Sequence, residues 1–301
     1  MAISEQWAEL LEPGLREIFN VQRDALAAES RIPMLFRVIG SNKATEQFLG
    51  AGGMNDFSEY KGVIPYDDLD QLYKTTLTHA EYAKGFTVER KLVDDDQYNI
   101  ITAQPVQLAL AAMRTREKHA ASVFNNAFTS TYAGGDGVEL CDASHPLAPT
   151  HAGDTVGNIG TSALSADAIM ATRQLMRAYV DDRGELVPIN PDTLLAPPEL
   201  EETARVLVGT DRKVGSADND INYAGSTVKN LIVWDYLTDA NNWFLIDSAL
   251  AKQHLLFVDR VPLEFAMDPT SDFRLQARYR GYMRYSYGFS DWRFVYGHSV
   301  T

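Results

Sequence analysis

Residues 105–128 read PVQLALAAMRTREKHAASVFNNAF and contain the strongest helical pattern of the chain. Apolar side chains recur there every three or four positions, which places them along one side of a helix. The other side would expose Arg114, Glu117 and Lys118 to solvent. At 1.5 Å per residue, the helix would be roughly 36 Å long, the length of a small domain. We therefore expect a structural element around which other segments pack, with a start or a kink near 102–105 because of Pro105.

The segment before this helix begins with a second, shorter helical pattern. Trp7, Leu15 and Phe19 lie at helical spacing, so a helix is predicted in the first twenty residues. Residues 25–42 show no period and contain Pro33, which is compatible with an extended arm or with an ordinary connection from helix to loop.

Residues 48–72 combine glycines with aromatic and acidic side chains and have no helical period. Long segments without regular structure are uncommon in compact domains unless they are functional. The stretch is predicted to be a flexible lid or a loop that lies on a neighbouring molecule. Aromatic side chains offer large contact areas, so Phe57, Tyr60 and Tyr66 are the predicted intersubunit contacts there.

The rest of the chain mixes helices and strands, which indicates an α+β protein. Residues 192–196 predict a short buried strand and residues 199–208 predict a helix, and two more apolar runs follow at 231–236 and 243–246. Residues 261–267 and 273–285 alternate apolar and polar residues, so each is predicted to form a strand with one buried face. Arginines occupy the other face of the second strand.

Composition excludes several classes of protein. The chain has 301 residues and a net charge of 27 − 41 = −14, with 45% hydrophobic residues, so wholesale disorder is excluded. No apolar run approaches the ~18–20 residues of a membrane span, and no secretory signal is recognisable. The acidic balance argues against a protein that grips nucleic acid. A single cysteine, Cys141, excludes an intrachain disulfide framework.

Catalytic and metal-binding motifs are weak. The sequence lacks G-x-S-x-G, H-E-x-x-H, C-x-x-C and Walker motifs, so we predict no enzymatic activity and no cofactor. Cys141, His145 and His151 could ligate zinc in principle, but their spacing matches no standard site, and no metal site is predicted. The runs 67–68 and 94–96 contain consecutive aspartates, which are read as solvated or helix-capping residues rather than a catalytic pair.

Residues 278–296 interleave tyrosines, Phe294 and Trp292 with arginines. This composition is compatible with a platform on which single-stranded nucleic acid stacks. It also fits a strand pair with core aromatics and with arginines at a protein interface, where Tyr, Trp and Arg are enriched. The net charge favours the second interpretation, so Arg280, Arg284 and Trp292 are predicted intersubunit contacts.

Four motifs resemble a known family. Residues 137–146 (GVELCDASHP), 191–208 (PDTLLAPPELEETARVLV) and 288–300 (GFSDWRFVYGHSV), with the sequence NNAF at 125–128, resemble the Mu-like major head subunits of tailed bacteriophages. The resemblance extends from about residue 88 to residue 300 and is weaker before that.

The resemblance implies the tailed-phage major capsid fold, which encapsulins share. Its parts are an N-terminal arm, an extended β loop that reaches a neighbour, a peripheral domain with a long spine helix, and an axial domain. On this sequence they would correspond to 1–44 (helix and arm), 45–84 (extended loop), 85–136 (peripheral domain), 137–248 (axial domain) and 249–301 (strands returning to both).

The resemblance also implies a function. The chain would be a major capsid protein that assembles into hexamers and pentamers, forming an icosahedral head around double-stranded DNA that it encloses non-specifically. A separate scaffold protein, a portal and a possible decoration protein would be its partners, with assembly in the bacterial cytoplasm and no membrane. Some relatives cross-link a loop lysine, but no motif identifies Lys61 or Lys74 for that reaction.

Three other functions remain open at this point. An encapsulin-like shell around a cargo enzyme would use the same fold. A single-stranded nucleic-acid-binding protein would use the C-terminal aromatics. A hydrolase would need Cys141 or a carboxylate pair.

Overall fold

The computed structural model describes residues 7–57, 59–62, 64, 66, 68–95, 98–149, 153–209, 212, 221–268 and 275–301. The helices over these residues are α1 (Trp7–Ala28), α2 (Ile32–Leu35), α3 (Arg90–Asp94), α4 (Tyr98–Asn125), α5 (Ala166–Met176), α6 (Glu201–Val208), α7 (Tyr223–Thr227) and α8 (Ser248–His254). A 3₁₀ turn at Pro198–Leu200 leads into α6.

The strands are shorter on average, except for two near the C-terminus. They are β1 (Arg37–Gly40), β2 (Thr45–Ala51), β3 (Gln71–Thr78), β4 (Ala80–Glu89), β5 (His145–Pro146), β6 (Thr155–Val156), β7 (Ile159–Gly160), β8 (Thr193–Ala196), β9 (Asn230–Val233), β10 (Trp243–Ile246), β11 (Leu255–Met267), β12 (Gln276–Phe289) and β13 (Val295–His298). The mixture confirms the α+β prediction.

A four-stranded sheet in the order β1-β11-β12-β4 packs against the long helix α4 and the N-terminal helix α1. The alternation predicted for β12 is present, because Ala277, Tyr279 and Tyr285 are buried while Arg278 and Arg280 are exposed. The hydroxyl of Tyr279 donates to the carbonyl of Ala8 at 2.7 Å. This bond joins the sheet to α1, although the two residues are far apart in sequence.

The second large sheet has five strands in the order β7-β13-β10-β8-β9. Strands β8, β10 and β13 are buried along their whole length. For β8 this confirms the buried strand that the sequence predicts at 192–196. Helices α5 and α6 cover this sheet. Strand β13 comes from the end of the chain and pairs with β10 in the middle, so the C-terminal residues close this sheet.

The segment 45–78 contains an antiparallel pair of strands. Strands β2 and β3 pair from Thr45↔Thr78 to Ala51↔Gln71, and residues 52–70 connect them at the far end. We call residues 52–70 the distal loop. The two-stranded part ends at Thr78, since β4 already belongs to the four-stranded sheet. The predicted range 45–84 therefore contains the start of β4 as well.

The sequence left residues 25–42 open between an extended arm and an ordinary connection. Residues 25–28 continue α1, and α2 and β1 follow, so the range 25–42 forms no extended arm. The physical reason is that Trp7, Leu15 and Phe19 bury a whole helix face against the body. Strand β1 then pairs in parallel with β11.

Helix α4 begins at Tyr98 and contains Pro105 within it, so the helix does not start at 102–105. Arg114 and Lys118 are exposed as expected, but Glu117 is buried.

Among the described helices, none is both long enough and apolar enough to cross a membrane.

Candidate assembly surfaces

The distal loop presents apolar side chains that the subunit itself leaves uncovered. Phe57 is fully exposed, Tyr66 is 89% exposed and Tyr60 is 71% exposed. A two-stranded hairpin is at best marginally stable in water unless it packs on something else. The three aromatic contact residues predicted in this region therefore lie on the surface, where a second molecule can reach them.

The base of the distal loop is fastened to a turn of the body. The backbone N–H of Gly53 donates to Oδ1 of Asp182 at 2.8 Å, and Arg183 donates to the carbonyls of Gly53 (2.8 Å) and Asp68 (2.7 Å). A Cβ atom on Gly52 would lie 2.5 Å from Oδ2 of Asp182, so the close approach needs glycine there. We call these contacts the Arg183 clasp.

In the sequence, Arg183-Gly184 is typical of a turn and carries no functional motif. Nothing in its local pattern indicates a partner about 130 residues away, so sequence reasoning missed the clasp. The turn itself is held by Asp181, whose Oδ1 accepts from the backbone N–H groups of Arg183 and Glu185.

The exposed face of β12 bears arginines. Arg278 and Arg280 are exposed and stand opposite Thr87 and Gly85 of β4. Arg284 is less accessible, and its Nε lies 3.8 Å from Oε1 of Glu81. Arg280 can therefore reach another molecule, whereas Arg284 is partly engaged within the subunit.

Trp292 does not lie on the surface. It is 3% exposed, its ring stacks on His145 with centroids 4.4 Å apart, and it meets Tyr179 edge-on. The guanidinium of Arg293 covers the ring at 5.0 Å. Trp292 therefore packs inside the subunit. Contrary to the prediction, it does not lie where a second subunit can contact it.

Most of the other C-terminal aromatics are also buried, and Tyr282 and Tyr287 are half-buried. Five of these aromatic side chains are buried in the core, namely Tyr279, Tyr285, Phe289, Phe294 and Tyr296. Bases stack only on rings that they can reach. The stacking platform considered from the sequence is therefore not formed by these rings.

Cys141 is a poor nucleophile in this structure. Its side chain is fully buried, and this desolvation raises the pKa of the thiol far above its usual value. The thiolate is the reactive form of cysteine. The geometry thus opposes a hydrolase that would use Cys141.

The surroundings of His145 do not favour a zinc site either. Nδ1 of His145 is bonded to Asp136 at 2.7 Å, and its Nε2 lies 3.1 Å from Oδ1 of Asn158, so both ring nitrogens are engaged. His151, Asp67 and Asp96 lie outside the described residues. Over the described part of the chain, no group of three or more His, Cys, Asp or Glu side chains is placed to hold a metal ion.

The lysines of the hairpin are both on its surface. Lys61 lies in the distal loop beside Glu59 at 3.4 Å, and Lys74 lies on β3 opposite Leu49. Neither has surroundings within the subunit that single it out for cross-linking.

Comparison with known proteins gives one family. The sequence model of a family described as phage capsid protein matches residues 73–297, which is 225 of 301 residues. A search of curated protein sequences found no significant match.

Solved capsid structures share the fold. A virus-like particle from Pyrococcus furiosus superimposes with a TM-score of 0.57 at 11% identity, over 94% of this chain and 98% of that one. Microbacterium phage Oxtober96 gives a TM-score of 0.57 at 14% identity, over 90% and 91%. The capsid of bacteriophage JBD30 decorated with minor capsid protein trimers gives 0.56 at 15% identity, over 69% and 91%.

The expected capsid fold is confirmed by these neighbours. The resemblance to phage head subunits is confirmed at the level of the capsid family, while the narrower Mu-like assignment stays a prediction. With three quarters of its length matched by the family model, the chain belongs to the phage capsid protein family.

Proposed function

We propose that many copies of this chain assemble through hexamers and pentamers into an icosahedral head that encloses double-stranded DNA. The observation that carries this proposal is the distal loop, which holds exposed aromatic side chains at the end of the hairpin β2–β3. Large apolar side chains exposed together on one loop point to an interaction site on a soluble protein. Repeated heterologous contacts between identical subunits can close into rings and shells.

The parts of the subunit receive different roles in this proposal. We assign the four-stranded sheet with α4 to the peripheral domain and the five-stranded sheet to the axial domain around the ring centres. The hairpin β2–β3 would reach a neighbouring subunit. Helix α1 packs on α4 and would belong to the peripheral domain rather than act as an arm.

The partners are proposed from the same role. A separate scaffold protein would guide assembly in the bacterial cytoplasm, a portal would occupy one vertex, and a decoration protein is a further candidate. The net charge of −14 suits a wall that encloses DNA without gripping it, because a basic face is needed to neutralise phosphates. The proposal includes no catalytic activity, which agrees with the burial of the Cys141 thiol.

The test is the particle mass of the purified protein, measured by analytical ultracentrifugation and checked by negative-stain microscopy. Rings, tubes or closed shells of megadalton size are expected, if necessary after addition of the scaffold protein. Persistent 33.5 kDa monomers with scaffold protein and at raised salt would overturn the proposal.

A second candidate function is a shell around a protein cargo. The observation behind it is the likeness to a virus-like particle from Pyrococcus furiosus, over 94% of this chain. Terminase, portal and tail genes beside the coding gene would support the virion, whereas a neighbouring gene for a cargo enzyme would support the compartment. The contents of particles purified from the host give the same distinction, as packaged DNA or as a single enzyme.

A further inference from the structure

A groove separates helix α4 from the edge of the four-stranded sheet. It has a volume of about 340 Å³ and is lined mainly by apolar or small side chains, among them Leu108, Ala111, Ala112, Leu263, Gly281 and Met283. We call it the α4–β4 groove, because it opens along β4, the strand at that edge of the sheet. Small residues on the helix and on β12 leave the space that larger side chains would otherwise fill.

The mouth of the α4–β4 groove carries positive charge. Lys84 of β4 and Arg114 of α4 both line it and are both exposed. Glu81 also lines the groove; its side chain is 62% exposed and lies 3.8 Å from Nε of Arg284, so the three charged lining residues leave a net charge of 2 − 1 = +1. An occupant with an apolar centre and flanking carboxylates would therefore complement the groove in shape and in charge.

The distal loop has that composition. Its residues 52–70 contain five acidic residues and one lysine, a net charge of 1 − 5 = −4. Phe57 is fully exposed and stands between Asp56 and Glu59 in the sequence. An aromatic ring with carboxylates on either side matches an apolar cleft with cations at its mouth.

The occupant must come from another molecule. The exposure of Phe57 shows that its ring is not in the α4–β4 groove of its own subunit. The Arg183 clasp meanwhile holds the base of the distal loop on the turn at 181–184.

We propose that Phe57 of one copy inserts into the α4–β4 groove of a second copy, with Asp56 and Glu59 facing Lys84 and Arg114. This contact rests on the proposed self-assembly and identifies its receiving surface. It explains why the groove is apolar at its floor and cationic at its rim, and why a fully exposed phenylalanine lies in an acidic loop.

The experiment is a disulfide trap between two variants of the full chain. Phe57→Cys and Ala111→Cys are made in separate chains of different tag length, mixed under assembly conditions and oxidised. Disulfides form only when the two Cα atoms come within about 7 Å, so a mixed dimer on a non-reducing gel reports docking. Cys141 is buried and stays out of the reaction.

The matched control replaces Phe57→Cys by Ile221→Cys, which is 75% exposed but lies outside the distal loop. At least a tenfold excess of the Phe57–Ala111 mixed dimer over the control dimer is expected. Equal yields, or no mixed dimer from particles that do assemble, would overturn the docking contact and leave the shell function standing.

A charge exchange provides an independent reading. The double variant Lys84→Glu, Arg114→Glu should assemble at least tenfold more slowly than the unchanged protein. Combining it with Asp56→Lys, Glu59→Lys should restore most of the rate, because the pairing is recreated with opposite signs. Additive losses without restoration contradict the contact. If the unchanged protein stays monomeric with scaffold protein and at raised salt, self-assembly itself is wrong and the docking contact falls with it.

Discussion

Glu117 shows how a single buried carboxylate can join three parts of the chain. It lies on α4 and is 8% exposed. Its oxygens accept from the indole N–H of Trp234 at 2.8 Å, from the backbone N–H of Arg31 at 3.2 Å and from the hydroxyl of Ser30. A buried carboxylate is tolerated when hydrogen bonds replace its lost hydration. Glu117 thus connects the long helix to the α1–α2 junction and to the segment after β9.

Replacing Glu117→Ala should lower the free energy of unfolding by about 2–3 kcal/mol. The reason is that the indole N–H of Trp234 and the amide of Arg31 would lose a charged acceptor in a buried place. Denaturant titration followed by circular dichroism measures the change. The control is Lys118→Ala, an exposed neighbour for which a change within about 0.5 kcal/mol is expected. Equal effects of the two variants would contradict this account of Glu117.

His298 is arranged as a neutral side chain. Its Nδ1 accepts from the backbone N–H of Ser162 at 3.2 Å. Its Nε2 lies 2.8 Å from Oγ1 of Thr172, whose hydroxyl donates to the carbonyl of Ala168. Nε2 therefore donates to Thr172, and the ring stacks on Trp243 with centroids 4.0 Å apart. Burial lowers the pKa of His298 to about 4.

The stability of the subunit should fall as the pH drops from about 6.5 to about 4. In that window the unfolded chain protonates residue 298 while the folded chain does not, so acid favours unfolding. Denaturation midpoints at pH 7, 5.5 and 4.5 measure the slope. His298→Gln should be less stable at pH 7 but should show a shallower loss between pH 6.5 and 4.5. An unchanged slope in that variant would show that other groups cause the acid sensitivity.

At the scale of elements, the hairpin β2–β3 depends on the body for its direction. Its strands pair only with each other, and the Arg183 clasp holds the far end against the turn at 181–184. The side chain of Arg183 is mostly buried, 19% exposed, so its hydrogen bonds are partly shielded from water. The clasp therefore sets where the distal loop can reach.

Arg183→Ala should release the base of the distal loop without unfolding the subunit. The carbonyls of Gly53 and Asp68 would lose their donor, and the amide of Gly53 should exchange its hydrogen about tenfold faster, which corresponds to about 1.4 kcal/mol. Hydrogen exchange with mass spectrometry measures this locally. Arg177→Ala, an exposed position at the end of α5, serves as the control. Unchanged exchange at Gly53 would mean that Asp182 holds the loop alone.

At the scale of the whole molecule, the two sheets share one core. A single cluster of buried side chains includes Phe19 of α1, Tyr285 of β12 and Trp243 of β10. Phe124 at the end of α4 meets Phe36, Trp234 and Phe244 edge-on, so its ring touches both sheet systems. The subunit is therefore continuous in its packing, although its strands form separate sheets.

Thermal or denaturant unfolding of the unassembled subunit should accordingly be one cooperative transition. Tryptophan fluorescence reports mainly on the five-stranded sheet region, while far-ultraviolet circular dichroism is dominated by helices such as α4 and α1. Coincident midpoints from the two signals are expected for a shared core. Two separated transitions would show that the sheets unfold independently.

The sequence by itself determined the elements whose periods are strict. The apolar stripe predicts α4, the alternation of period two predicts β12, and the short apolar run at 192–196 predicts β8. Its motifs also indicated the capsid family that the comparisons show. Local patterns suffice for these conclusions, because a period states which face of an element is apolar.

The tertiary structure alone decided what covers each face. Periodicity placed Glu117 on the solvent side of α4, but Trp234 and the α1–α2 junction pack over it. In the sequence, the aromatics of the C-terminal segment are compatible with a surface platform. In the structure, β11, β4 and α4 pack around the strand that carries most of them. The Arg183 clasp joins residues about 130 positions apart. Contacts of that range depend on how the layers stack, and no local pattern of residues encodes them.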